Sequence, residues 1–358
     1  MVGLSARAWS QSARAAGYAP LAADLFCDLD TRAATEACIR IDSGLQEGLL
    51  WEPLIAALET LAAGREPVGI ACGSGFEDRH ALLDRIGDRW RLLGNRGDVV
   101  ARVKDPARLA ALCAIRGIPH PKWSEAPHGD GWICKRIGGA GGTHIAARAD
   151  RAVSRYWQER VEGSPVSALV LGAGDSAMVL GLSEQWSDPS PSARYRYGGA
   201  VRPALLSGET EAALSEAAEA VAEEAGLRGL NSIDFLVRTD GWHLIDVNPR
   251  PGATLDIFRP AMGSLFALHV EACAGRLPQR PPCYCGAAAA RIVYARRAVA
   301  SAPKLDWPEW TADRQPPETT LGAGDPVCTV LAEAETPAEA RRLVDERGVE
   351  IAERLGVS

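Results

Sequence analysis

Residues 228–252 read RGLNSIDFLVRTDGWHLIDVNPRPG. Two apolar runs meet at Thr-Asp-Gly, and the second run is cut off by two prolines. A strand alternates its side chains between faces, so Asp246 and Asn248 share one face. Where Asp234 falls depends on the turn. A two-residue Asp-Gly loop sets Asp234 opposite Val247 and sends the acids to opposite faces. A three-residue loop, Thr239-Asp240-Gly241, sets Asp234 opposite Asp246 and Ser232 opposite Asn248. That longer loop requires Gly241 in a left-handed bulge. Two carboxylates opposite each other repel, and the pairing makes sense around a dication. Hard oxygen ligands completed by water and phosphate suit Mg²⁺. In this register Ile233, Phe235, Ile245 and Val247 form the core face. Pro249 and Pro251 restrict the exit and aim Arg250 at whatever the metal holds.

A second constraint is WICKRIGGAGGTHI, residues 132–145. Lys135 lies within an apolar strand, where an ammonium needs an anion. The loop after it has four glycines in the five residues Gly138 to Gly142. Glycine lets a backbone approach a phosphate and direct N–H groups at it. His144, beside this loop, is within reach of phosphate but reads as part of the loop's own structure.

The chain has 358 residues, room for two or three domains, and 47% apolar content, ordinary for a soluble globular protein. A formal net charge of −7 argues against nucleic-acid binding. No apolar run reaches membrane-spanning length. The nine cysteines, most in apolar contexts such as Cys72, Cys113, Cys134 and Cys328, suit reduced thiols and a cytoplasmic setting. Cys283 and Cys285 form a C-x-C without a second pair at zinc spacing, so they read as structural.

The first hundred residues alternate helical and strand patterns, which implies a parallel sheet. Ligands of such sheets sit beyond the strand ends, here near Ser5, Asp28 and Gly73 to Glu77. Only MVGL is available for a first strand. The Ala/Arg/Ser-rich segment that follows reads as a folded helix rather than a transit peptide. Helices are expected at DPARLAALCAIRG and ETEAALSEAAEAVAEEAG, and a linker at PQRPPCYCG.

The order of these features resembles the ATP-grasp superfamily. It is closest to carboligase-like members, through GLSARAWSQSARAAGY, DLFCDLDT, YRYGGAVRP, GLNSIDF and DVNPRPGATLDIF. The tail WPEWTADRQPPETTLGAGDPVCTVLAEAETPAEARRLV resembles the small β domain of biotin-carboxylase-like relatives, although PPETT lacks the glycine expected in its turn. The resemblance implies an α/β and α+β ATP-grasp architecture. It comprises an N-terminal parallel-sheet (pre-ATP-grasp) domain at 1–100, an ATP-grasp domain at 101–280 with a lid at about 120–162, and a small C-terminal β-rich domain with a terminal helix at 281–358. It implies ATP and Mg²⁺ as cofactors, with Mn²⁺ as a substitute. Lys104, set at a helix start, and Lys135 match the phosphate-contacting lysines. Gly138, Gly139, Gly141, Gly142 and Thr143 match the loop that closes over the phosphates. Gln158, Glu159, Arg160 and Val161 match the adenine hinge, and Glu162 a ribose position. Asp234, Asp246 and Asn248 match the metal ligands. Arg250, with Lys135, matches the catalytic cations that hold the transferred phosphoryl group.

The chemistry implied is phosphorylation of a carboxylate to an acyl phosphate, which an amine then attacks. The residues need only position and neutralise, because phosphoryl transfer asks little covalent help. Arg202 in YRYGGAVRP is a candidate partner for the substrate carboxylate. Carboligase-like members are associated with methanopterin-type one-carbon coenzymes, which suggests an amino-acid ligation. Bicarbonate-dependent carboxylation and a non-catalytic nucleotide-binding module are the alternatives. The partners expected are small carboxylates and amines and a second copy in a homodimer, without nucleic acid or membrane.

Overall fold

The computed structural model describes residues 1–45, 47–146, 154–191 and 193–357. Part of the expected lid, residues 147–153, lies outside them.

The N-terminal elements are α1 (Arg7–Ala15), β1 (Leu21–Asp24), α2 (Leu29–Ala34), β2 (Ala37–Arg40), α3 (Trp51–Ala62), β3 (Ile70–Ala71), α4 (Ala81–Gly87), β4 (Leu92–Leu93) and α5 (Gly97–Lys104). β1 pairs with β2 in parallel, and β3 with β4. Val2 bridges both Ala23 and Cys72 in parallel, so the MVGL segment joins the two pairs through one residue. The parallel sheet expected from alternating patterns is present, and its central strand is reduced to a bridge. One expectation is corrected. Cys27, just beyond β1, is disulfide-bonded to Cys38 on β2, while Cys72, Cys113, Cys134 and Cys328 are free thiols. The parallel pairing of the two strands brings these sulfurs together across 11 residues.

α6 (Pro106–Ile115) leads to the strands β5 (Trp123–Ser124), β6 (Trp132–Arg136), β7 (Ile145–Ala146) and β8 (Arg155–Glu159). They form an antiparallel sheet in the order β5-β8-β6-β7. Lys104 closes α5 instead of opening a helix. The next helix starts two residues later, at Pro106, capped by Asp105, which accepts from the N–H groups of Ala107 and Arg108.

The centre contains β9 (Ser164–Ala173), β10 (Ala177–Ser187), β11 (Tyr197–Arg202), α7 (Gly208–Ala225), β12 (Arg228–Arg238), β13 (Gly241–Asn248) and α8 (Leu265–Cys273). β14 (Ala287–Tyr294), β15 (Thr311–Ala312), β16 (Pro326–Ala334) and α9 (Pro337–Leu355) follow. An eight-stranded antiparallel sheet, β13-β12-β9-β10-β11-β14-β16-β15, runs through both groups. Its two faces are set by alternation. Val166, Ala168 and Val170 with Ile233, Phe235, Leu244 and Val247 pack on Leu214 and Val221 of α7 and Leu109 and Leu112 of α6. Each of these valine, leucine, isoleucine and phenylalanine side chains, taken from water, contributes about 1.5–3 kcal/mol. Leu169, Leu171 and Leu230 face the other way, under Trp9 of α1 and Leu265 and Phe266 of α8. Ser167, Ser232 and Asp234 alternate onto that second face.

Arg7 ties three distant segments together. Its guanidinium is paired with Asp256 and donates to Asp313 at 2.9 and 3.0 Å, while Thr329 donates to Asp313 at 2.6 Å. Its side chain is 4% exposed.

Candidate active site

The hairpin register decides the site, and the structure reaches it by an unexpected route. Arg238 pairs with Gly241, so the turn is the two residues Thr239-Asp240 and not the three-residue loop. Continued without interruption, that register would set Asp234 opposite Ile245. It shifts by one between Asp234 and Phe235, and Asp234 pairs with Asp246 and Ser232 with Asn248. The extra residue of this β-bulge is Ile245. Gly241 has φ +150°, positive but not the left-handed bulge conformation expected. Ile233, Phe235 and Val247 are fully buried as expected, whereas Ile245 is half-buried and Leu244 takes its core place. A bulge re-aims the backbone, and here the Ile245 carbonyl accepts from Lys135 Nζ at 3.2 Å.

The acids therefore share a face, amid cations. Lys104 Nζ donates to Asp246 at 2.9 and 3.1 Å and to Asn248 Oδ1 at 3.2 Å. Asn248 Nδ2 donates to Asp234 at 2.9 Å, and Ser167 Oγ donates to Asp234 at 2.6 Å. Burial pushes the Asp234 carboxyl up, and the charge of Asp246 adds to it. Burial also opposes ionisation of Asp246, but Lys104 and Lys135 outweigh it and hold that carboxyl below its usual range. Lys135 is buried, donates to Gln158 Oε1 at 3.2 Å, and lies 5.8 Å from the Tyr156 ring centroid.

Arg250 Nε donates to Glu77 at 2.7 Å and its Nη2 to Asn248 Oδ1 at 3.3 Å. Burial opposes ionisation of Glu77, yet Arg250 and Lys104 hold it below its ordinary value. Asn95 fixes the chain where Arg250 leaves the strand. It donates to the Pro249 carbonyl at 2.9 Å and to Asn231 at 2.7 Å, and accepts from Arg228 N at 2.8 Å.

The glycine loop lies against this cluster. A Cβ on Gly138 would meet the Glu77 carbonyl oxygen and Asp78 Cα at 2.6 Å, and one on Gly142 the Tyr195 oxygen at 1.7 Å. The Gly141 carbonyl accepts from Tyr197 N at 3.1 Å. A cavity between the four-stranded sheet and the hairpin is lined by Lys104, His120, Gly138, Gly139, Tyr156, Gln158 and Asp246, among others. Burial, with Lys135 next, lowers the His120 pKa to about 4.

Other expected residues stand apart. Thr143 is exposed and its hydroxyl turns back to the Ala140 carbonyl at 3.5 Å. Glu159 and Arg160 spend their N–H groups on the Lys122 and Gly131 carbonyls, at 2.8 and 2.7 Å. Arg160 and Glu162 pair with each other in an exposed position beyond β8, next to the half-buried Val161. Arg202 is corrected as a substrate arm. It is 5% exposed, and its donors go to the Ile257, Cys285 and Gly286 carbonyls. Sequence reasoning missed Ser167 and Asn95 and gave Glu77 no role. The only available signal was the polar Ser167 within the apolar run SPVSALVL.

The donor set suits a hard dication. It offers two facing carboxylates and an amide oxygen, and a cation between the acids would relieve their repulsion. Among the described residues no cluster of three or more His, Cys, Asp or Glu side chains is present to hold a metal ion. Remaining ligands would therefore come from phosphate and water.

The family model described as an ATP-grasp domain matches residues 111–254. The carbamoyl phosphate synthase large chain of Myxococcus xanthus (strain DK1622) is 24% identical over 270 residues, 66% of this chain and 24% of that protein. The chain thus spans about a quarter of that curated relative. Biotin carboxylase from Campylobacter jejuni, in a βγ-ATP complex, superposes with a TM-score of 0.73 at 15% identity, over 96% of this chain and 88% of that one. The biotin carboxylase domain dimer of Hydrogenobacter thermophilus 2-oxoglutarate carboxylase, in complex with MgADP, ADP and bicarbonate, gives 0.75 at 13% identity, over 97% and 88%. Residues 111–254 therefore match an ATP-grasp domain, within a chain that shares its fold with biotin carboxylase.

Proposed function

We propose that the protein is an ADP-forming carboxylate–amine ligase. The observation that carries this reading is the in-register pair Asp234–Asp246 with Asn248, ringed by Lys104, Lys135 and Arg250. A substrate carboxylate oxygen attacks the γ-phosphorus of ATP, the bond to the β-phosphate oxygen breaks, and ADP leaves. An amine then attacks the acyl carbon of the acyl phosphate and expels phosphate. Lys104 exchanges Asp246 for phosphate oxygens, Lys135 neutralises the phosphate chain, and Arg250 holds the transferred phosphoryl group. Asp234, Asp246 and Asn248 would hold Mg²⁺ or Mn²⁺, which supplies further charge neutralisation. The glycine loop supplies N–H groups, and Gln158, which lines the cavity, flanks the nucleoside.

The amine and carboxylate are proposed to belong to the making of a one-carbon-carrying coenzyme, on the carboligase-like motifs of the sequence. Carboxylation with bicarbonate is a second reading. It is favoured by the alignment of nearly the whole chain with biotin carboxylase, and by the bicarbonate in the Hydrogenobacter complex. The domain division 1–100, 101–280 and 281–358 belongs to the same proposal, as does a homodimer, supported by the dimer of that domain. A cytoplasmic setting is supported by the free thiols, and the Cys27–Cys38 bond counts against it. Among the described residues no helix is long and apolar enough to cross a membrane.

The test is ADP release across a matrix of carboxylates and amines, with glutamate and bicarbonate included. Release that requires both a carboxylate and an amine supports the ligase. Release with bicarbonate and no amine selects the carboxylase, and no release with any pair leaves the nucleotide-binding module.

A further inference from the structure

His144 was expected to belong to the loop's structure, yet its ring has been given a seat and one edge of it lacks a well-formed hydrogen bond. A Cβ on Gly139 would lie 2.2 Å from His144 Cβ, 2.3 Å from Cγ and 2.7 Å from Cδ2. Only glycine at 139 lets the imidazole lie against the loop, with its Cδ2 edge on the backbone. Nδ1 is on the opposite edge of the ring. That atom is buried and makes no hydrogen bond of normal geometry, with the Ala140 carbonyl near the ring. A buried polar atom left unpaired is destabilising, and a ligand atom at that edge would relieve it.

The surroundings say what kind of ligand. His144 lines the same cavity as Lys104, Gly138, Gly139, Tyr156, Gln158 and Asp246. Burial and then the charge of Lys135 lower its pKa to about 3, so the imidazole is neutral at working pH and keeps one nitrogen as a donor. Two lysines beside a neutral donor and a glycine loop describe a place for phosphate oxygens, not for a base or a sugar.

We propose that His144 is a specificity residue of the lid, donating from Nδ1 to the phosphate chain of the nucleotide beyond its α-phosphate. The proposal rests on the reading of this cavity as the ATP site. It adds one side-chain contact to those of the loop backbone, and it distinguishes ATP from AMP.

Calorimetric titration of the full-length protein with ATP and with AMP, at fixed Mg²⁺, tests it. A hydrogen bond to a charged group predicts that His144→Ala weakens ATP binding about 10- to 100-fold, with AMP affinity unchanged. His144→Asn, whose amide stands where Nδ1 was, should restore most of the ATP affinity, whereas His144→Gln should not. AMP binding by each variant reports that its fold is intact. Equal ATP affinity in wild type and His144→Ala overturns the proposal, as does an equal loss for AMP and ATP or rescue by Gln instead of Asn. Wild-type protein that binds neither nucleotide would overturn the ATP-site reading itself.

Discussion

Lys104 is the cation most directly opposed to a metal at the facing acids, and replacing it with methionine separates the two. Its side chain is 4% exposed and that of Asp246 is 19%. Removing one partner from a buried ion pair costs about 3–5 kcal/mol, because the other charge stays behind. Here the remaining exposure of Asp246 and the nearby charge of Lys135 reduce the cost to about 2–3 kcal/mol. At about 1.3 °C per kcal/mol for a chain of 358 residues, Lys104→Met should lower the melting temperature by about 3–4 °C. Asp234 and Asp246 then face each other with less compensation, so a dication has more to gain. Millimolar Mg²⁺ should raise the melting temperature of the variant more than that of wild type, by linkage to binding of the native state. The measurement is a pair of thermal melts with and without Mg²⁺, with Ca²⁺-free buffers throughout. A variant that melts like wild type would show that the pair is not buried as described. A destabilised variant that gains nothing extra from Mg²⁺ would refute the metal argument.

Asp28 is buried, and burial followed by the charge of Asp313 raises its pKa to about 7. The folded state therefore binds more protons than the unfolded chain between about pH 4 and 7. Stability should fall as pH rises through that window, by up to about 1.4 kcal/mol per pH unit. Asp28→Asn keeps an oxygen to accept from Thr31 N, a 2.8 Å bond in the native protein, and should flatten the profile of melting temperature against pH. An unchanged slope would contradict the buried acid. Gly141 and Gly142 have φ of +66° and +74°, but only at Gly142 does a Cβ meet backbone, the Tyr195 oxygen. Gly142→Ala should weaken ATP binding far more than Gly141→Ala. Equal losses in titration would mean that backbone strain, and not the contact of the loop with Tyr195, is what matters.

Much of this was legible because it is periodic or punctuated. The acids of the hairpin, the lysine within an apolar strand and the glycine loop all follow from spacing within one segment. The bulge at Ile245 was not legible. A three-residue turn and a two-residue turn plus a bulge give the same Asp234–Asp246 register, and only packing of Leu244 into the core distinguishes them. Glu77 and Arg250 are 173 residues apart, and no local pattern joins them. Arg202 was read as free for a substrate because a sequence does not reveal which carbonyls will crowd its guanidinium. The Cys27–Cys38 bond depends on the pairing of β1 with β2, which the cysteine count alone does not encode.

The central claim is that the facing acids bind ATP through a dication. Calorimetric titration of ATP into wild type and into Asp246→Asn, each with and without Mg²⁺, tests it most directly. The account predicts that wild type binds ATP more tightly when Mg²⁺ is present, and that Asp246→Asn loses this gain while keeping a cooperative melt. An undiminished Mg²⁺ dependence in Asp246→Asn would contradict it.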